Sequence, residues 1–332
     1  MTRSLLRITL CLLPFCLQAQ TEDPLRIQSD SLLGVAERYM GHQDSIALAI
    51  ANDVRKIAIE HWGENSLINA RALGVLAQVS SNRGAYSESE AIRQKALPIY
   101  LTLAPDSVIT AGFLSNFGGL YIQIAQYDKA EQFLKNALAL MERINRTGHN
   151  FYATTLGKIG ELYKDQGRYD EAEVALIKAK DARLKRFGNK HARYSDALYG
   201  LAIFYLESNQ LELAEQALLD VRSIDEATIG KQSQDYGGTL NALGNLYNEM
   251  GKFEKAETYF KEVIAIIENH SETNWPFLGM VYNNIGSTYS QMGLYPQAEQ
   301  SLLRVCLKSL NCLIRNALWY KICYKSSKKP LT

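Results

Sequence analysis

The chain has 332 residues, is 47% apolar and 21% charged, and carries a formal net charge of +1. That balance excludes a disordered or collagen-like polymer and describes a chain able to bury a core. The near-neutral total offers no basic surface of the kind that nucleic acid requires.

The first element is short and apolar. Arg3 and Arg7 precede the run from Ile8 to Leu17, and Gln18-Ala19-Gln20 follows. This is the three-part layout of a secretory signal, expected to be cut after Ala19 and to leave an exported, periplasmic or secreted protein. The run is short for a membrane span, so no membrane insertion is expected after cleavage. Of the five cysteines, Cys11 and Cys16 leave with residues 1–19, and the others, Cys306, Cys312 and Cys323, fall in the last 27 residues. The body therefore has no disulfide framework and must be held by packing. Removing two arginines at the start and six basic residues at the end from the +1 total leaves the body at −7.

Residues 20–69 read as a degenerate first repeat or cap, with helical spacing around Leu32 to Ile59. From 70 to 305 the chain repeats itself. Leu156, Ile159, Gly160, Tyr163, Gly167, Tyr169, Ala172 and Glu173 recur 42 residues later as Leu198, Leu201, Ala202, Tyr205, Asn209, Leu211, Ala214 and Glu215. They recur again from Leu240 to Glu257 and from Tyr282 to Glu299, and earlier from Leu114 to Glu131. With the copy from Leu73 to Glu90, one residue shorter in step, that makes six copies. Apolar positions three or four apart define helices. Gly160 and its equivalents let two helices approach, with Ala172 as the expected counterpart on the second helix. Tyr163 and its equivalents fill space between units with the hydroxyl hydrated. Gly167, Gly251 and Asn209 suit a left-handed turn. Glu173 and its equivalents are expected in the first turn of the second helix, where a negative charge favours the dipole.

These residues resemble the tetratricopeptide repeat, and the 42-residue step resembles the longer form found in kinesin light chains and in bacterial proteins that carry a caspase-like domain. The resemblance implies an all-α fold, a right-handed superhelical solenoid of antiparallel helix pairs, with a concave face that binds protein or extended peptide.

No catalytic motif accompanies the repeat, so no enzyme activity is expected. No cofactor or metal site is expected either, because no two of His42, His61, His149, His191 and His270 fall within one helical turn. His149 and His191 are one step apart and read as structural linker residues. In the related repeats ligands lie along the inner face of the first helices. Carried along the 42-residue step, that face assigns Asn116, Lys158, Glu161, Tyr199, Asn241, Asn245, Asn248, Asn283 and Asn284 as candidate peptide-binding residues. Asparagine amides both donate and accept, which suits a peptide main chain. Tyr199, Ile203 and Leu206 would make an apolar centre. Residues 306–332 break the pattern, hold six basic residues and no acid, and read either as a capping helix or as the product of a shifted or truncated frame. The leading expectation is an interaction scaffold. The alternative is the sensor or regulatory region of a larger enzyme or signalling protein whose effector domain is absent from this chain.

Overall fold

Each copy of the repeat becomes two helices because its apolar residues keep a helical period and its turn residues stop it. The structure is a computed structural model that describes residues 23–41, 43–269 and 275–304, with the side chain of Trp275 excluded. The expected signal at 1–19, the tail at 306–332, His42 and His270 lie outside the described residues. In chain order the helices are α1 (Pro24–Tyr39), α2 (Asp44–Trp62), α3 (Leu67–Asn82), α4 (Tyr86–Leu103), α5 (Val108–Gln123) and α6 (Tyr127–Arg143). These follow: α7 (Asn150–Asp165), α8 (Tyr169–Phe187), α9 (Ala192–Glu207), α10 (Leu211–Thr228), α11 (Gln234–Glu249), α12 (Phe253–Glu268) and α13 (Trp275–Gln291). A further helix, α14, covers 295–304. No strand occurs among the described residues. Consecutive helices pack as antiparallel hairpins, α1 with α2, α3 with α4, and onward through α11 with α12. The chain divides into two units, one ending at Thr147 and one beginning at Gly148.

The first helices α3, α5, α7, α9 and α11 are capped by the same position of the repeat. Ser66, Ser107 and Ser233 accept the N–H three residues on, from Asn69, Thr110 and Tyr236. His149 and His191 do the same work through Nδ1, accepting from Phe151 and Arg193 at 3.2 and 3.0 Å. A cap satisfies a donor that the helix cannot.

The hairpin turn needs one residue in the left-handed region. Gly84, Gly167, Gly251 and Gly293 adopt it, and so do Asn209 and Ala125, at φ 61° and 55°. The next N–H then closes back onto the repeat tyrosine's carbonyl, as Gln126 does to Tyr121 at 2.9 Å and Lys252 to Tyr247 at 2.8 Å. Alanine at such a turn carries a Cβ penalty that glycine avoids. Ala125→Gly should therefore stabilise the chain by about 1 kcal/mol, read as a higher urea midpoint at unchanged slope.

Inside three hairpins, the notch left by the glycine receives a side chain four residues beyond the expected alanine. A Cβ on Gly118 would lie 2.6 Å from Leu134 Cγ, on Gly160 2.5 Å from Leu176 Cγ, and on Gly244 2.5 Å from Phe260 Cε1. Alanine contributes its carbonyl instead, with Ala130 O 3.2 Å from that point at Gly118.

Between hairpins, the two signature polar residues find each other. Tyr205, Tyr247 and Tyr289 donate to Glu173, Glu215 and Glu257 of the preceding hairpin at 3.0, 2.7 and 2.9 Å, and Tyr121 donates to Glu90 at 2.9 Å. The hydroxyl is thus not simply hydrated. The glutamate sits past the first turn, and its carboxylate accepts a neighbour's proton instead of serving the helix end. Burial, and then the bonded glutamate, push Tyr121 and Tyr205 up to about 12 and raise Tyr247 and Tyr289 as well. An unfolded tyrosine titrates near 10. The stability held in these bonds is complete below pH about 10 and is lost as pH rises toward about 12, because the unfolded chain gives up its protons first. Arg93, lowered to about 10 by burial, and Arg183, also lowered by burial, act in the opposite sense, but they are two groups against four. The melting temperature should fall steeply between pH 10 and 12, and circular dichroism against pH checks it.

Candidate functional site

In the second unit two adjoining cavities open along α7, α9 and α11. The first, about 350 Å³, lies between α7, α8 and α9. Its floor is Leu176, Ala179 and Phe204, and its sides carry Thr154, Gly157, Glu161 and Lys164 from α7 and Asp196, Tyr199, Gly200 and Ile203 from α9. The second, about 480 Å³, lies between α9, α10 and α11, with Phe277 of α13 at one side, and shares Asp196 and Tyr199 with the first.

Two glycines make the first cavity roomy. Gly157 and Gly200 are interior to α7 and α9, and a Cβ on either would meet nothing within 4 Å. Interior glycine costs a helix about 1 kcal/mol relative to alanine. At Gly118, Gly160 and Gly244 a packed neighbour accounts for the glycine; at Gly157 and Gly200 the fold gives no such reason.

The polar groups at the mouth are held in place. Burial presses the Lys164 ammonium down, but the hydrogen bond and charge of Glu207, at 2.7 Å, outweigh it and the pKa is raised. Arg183 reaches from α8, donates to the Arg193 carbonyl at 3.0 Å and to Thr154 Oγ1 at 3.4 Å, and stands 3.7 Å from Asp196. Its Nε is buried with no hydrogen-bond partner among the described residues. Burial lowers Arg183 and raises Asp196; Arg183 and Arg193 pull Asp196 back down, while Asp225 and Asp235 push it further up. Burial first, then the charge of Asp225, raises Tyr199.

Of the nine candidate residues, Glu161 and Tyr199 line the first cavity, and Tyr199 the second also. Lys158 on α7, Asn245 and Asn248 on α11 and Asn283 on α13 lie outside both cavities, with Asn248 Oδ1 buried and unbonded among the described residues. Asn241 is buried and accepts from Asn284 Nδ2 at 3.1 Å, so that pair joins α11 to α13. Asn116 is exposed on α5 in the first unit. Ile203 lines the first cavity; Leu206 does not. Sequence reasoning passed over Thr154, Asp196 and Gly238, which form a column one helical turn earlier. It also passed over Arg183 and Asp225, which come from second helices. Stepping three residues toward the N-terminus from the chosen columns would have found the first group.

No helix among the described residues is long and apolar enough to cross a membrane, and no group of metal-ligating side chains occurs among them. No curated protein matches the chain. Its fold is similar to that of RapI in the apo form, at 13% identity and TM-score 0.60 over 87% of this chain and 99% of that one. A Rap protein complexed with Competence and Sporulation Factor aligns at 15% identity and TM-score 0.60 over 85% and 76%. A tetratricopeptide repeat protein from Parabacteroides merdae aligns at 19% identity and TM-score 0.54 over 83% and 91%. The family profile of the tetratricopeptide repeat matches residues 109–173, 151–227 and 235–306. With its hairpins, caps and repeat step accounted for, the chain belongs to the tetratricopeptide repeat family.

Proposed function

We propose that this chain is an exported scaffold that binds an extended segment of another protein along the inner face of α7, α9 and α11. The observation that carries the reading is the pair of interior glycines, Gly157 and Gly200, open above an apolar floor. They weaken two helices, and the space they leave suits an inserted apolar side chain. Polar groups around it, Glu161, Lys164, Tyr199 and Arg183, offer donors and acceptors to a peptide main chain. Asn245 and Asn248 of α11 and Asn283 of α13 extend that polar surface. The negative body favours protein over nucleic acid as partner, and the basic, apolar start of the chain supports export.

The test uses a random dodecapeptide library displayed on phage and selected against the purified chain. Gly157→Leu with Gly200→Leu should fill the cavity, reduce binding of selected peptides by at least about tenfold, and leave the melting temperature equal or higher. Undiminished binding by the filled variant, or failure to select any peptide, contradicts the reading.

A further inference from the structure

The second cavity differs from the first in charge. Asp196, Asp225 and Asp235 border it, and among the described residues no lysine or arginine lines it. Asp196 is turned partly to Arg183, which lines the neighbouring cavity at 3.7 Å, and Arg193 lies near it too. Asp225 has no cation within ion-pair distance among the described residues. It is only 7% exposed, and its two oxygens accept from Ser195 Oγ at 2.6 Å and Thr239 Oγ1 at 2.8 Å. Those hydroxyls hold the carboxylate but bring no positive charge.

Two features make Asp225 costly to the fold. A buried carboxylate loses its hydration, and hydroxyls replace that only in part. It also lies in the last turn of α10, Leu211–Thr228, where the helix dipole disfavours negative charge. Asp235 is the second residue of α11 and is exposed at the mouth, with no hydrogen bond or ion pair among the described residues. Its place in the first turn is favourable to the helix, so Asp235 alone would need no further explanation. Asp225 does. Beside these carboxylates stand Val221, Ile229 and Phe277, which suit an aliphatic stem. Gly238 adds room, since a Cβ there would meet nothing within 4 Å.

We propose that this cavity seats a lysine or arginine side chain of the bound peptide, its stem against Val221, Ile229 and Phe277 and its cation between Asp225 and Asp235. The occupant is a partner in trans that carries a basic residue close to an apolar one, because Asp196 and Tyr199 form a wall common to both cavities. This rests on the groove reading and specifies it: the first cavity takes the apolar residue and the second the cation.

The experiment repeats the phage selection on the purified chain, then measures synthetic peptides of the selected sequences by calorimetry. A basic residue should recur near an apolar one. Replacing it by methionine, or introducing Asp225→Asn with Asp235→Asn, should each weaken binding by about tenfold or more, and the two losses should not add. Asn is close in shape to Asp, and an unchanged melting temperature verifies folding. Should Asp225→Asn unfold the chain, Asp235→Asn alone, on an exposed side chain, carries the same test with a smaller loss. Selected peptides that compete through the first cavity yet show no basic preference, or ignore both substitutions, overturn this inference and leave the groove standing. Peptides unaffected by Gly157→Leu with Gly200→Leu overturn the groove itself. A tenfold gain in affinity on removing residues 306–332 would make the chain's own basic tail the occupant, and would overturn a partner in trans.

Discussion

Phe117→Ala should cost the first unit about 3–5 kcal/mol. Phe117 is 1% exposed and sits at the middle of a run of rings. Its centroid lies 4.5 Å from Phe133, 5.0 Å from Tyr121 and 6.0 Å from Phe113, which in turn stacks on Tyr100 at 4.4 Å. Truncation removes the transfer energy of a whole ring and leaves a hole that its neighbours on α4, α5 and α6 cannot all fill. Because each hairpin of a repeat protein leans on its neighbours, the loss should spread through the unit and not stop at α5. Urea denaturation followed at 222 nm measures it. Phe151→Ala, at an aromatic residue 37% exposed on α7 of the second unit, is the control and should cost less than about 1 kcal/mol.

Arg93→Leu should act with the opposite sign, raising stability by about 1–3 kcal/mol. Arg93 stands where Leu134, Leu176, Leu218 and Phe260 stand in the later hairpins, four residues beyond the position of the repeat alanine. It is 1% exposed and no carboxylate among the described residues pairs with it: its Nε donates to Ser89 Oγ at 3.3 Å and a terminal nitrogen to Gln78 Oε1 at 2.9 Å. Burial accordingly lowers its pKa to about 10. Leucine restores the apolar plug of the other hairpins. Ser89 keeps its bond to the Ala77 carbonyl at 2.7 Å and its contact with Ser81 at 2.8 Å, so little is left unsatisfied. A fall in the denaturation midpoint would show that the guanidinium network is worth more than the charge it buries.

Both substitutions draw on what the 42-residue step made legible. The step located the hairpins from α3 onward, the linker histidines and the turn at Asn209, because each depends on short-range geometry repeated along the chain; the hairpin of α1 and α2 fell in the stretch read only as a degenerate repeat or cap. Two kinds of information stayed hidden. One is pairing between hairpins: Tyr247 and Glu215 stood in separate columns, and only the stacking of α11 on α10 brings them to 2.7 Å. The other is the contribution of the second helices. Leu176 fills the notch at Gly160, Arg183 reaches across to Thr154, and Asp225 meets Ser195 and Thr239. A face chosen on first helices alone finds Glu161 and Tyr199 but not these. Asn241 shows the converse: its column suggested a free amide, and the fold spends that amide on Asn284.

Hydrogen–deuterium exchange of the purified chain, with and without a saturating selected peptide, tests the binding face most directly. Added protection should concentrate in 150–165, 192–207 and 234–249, the first helices whose inner faces border the two cavities. Protection confined to the first unit, or to 253–268 and 295–304 with those three helices unchanged, would contradict the account.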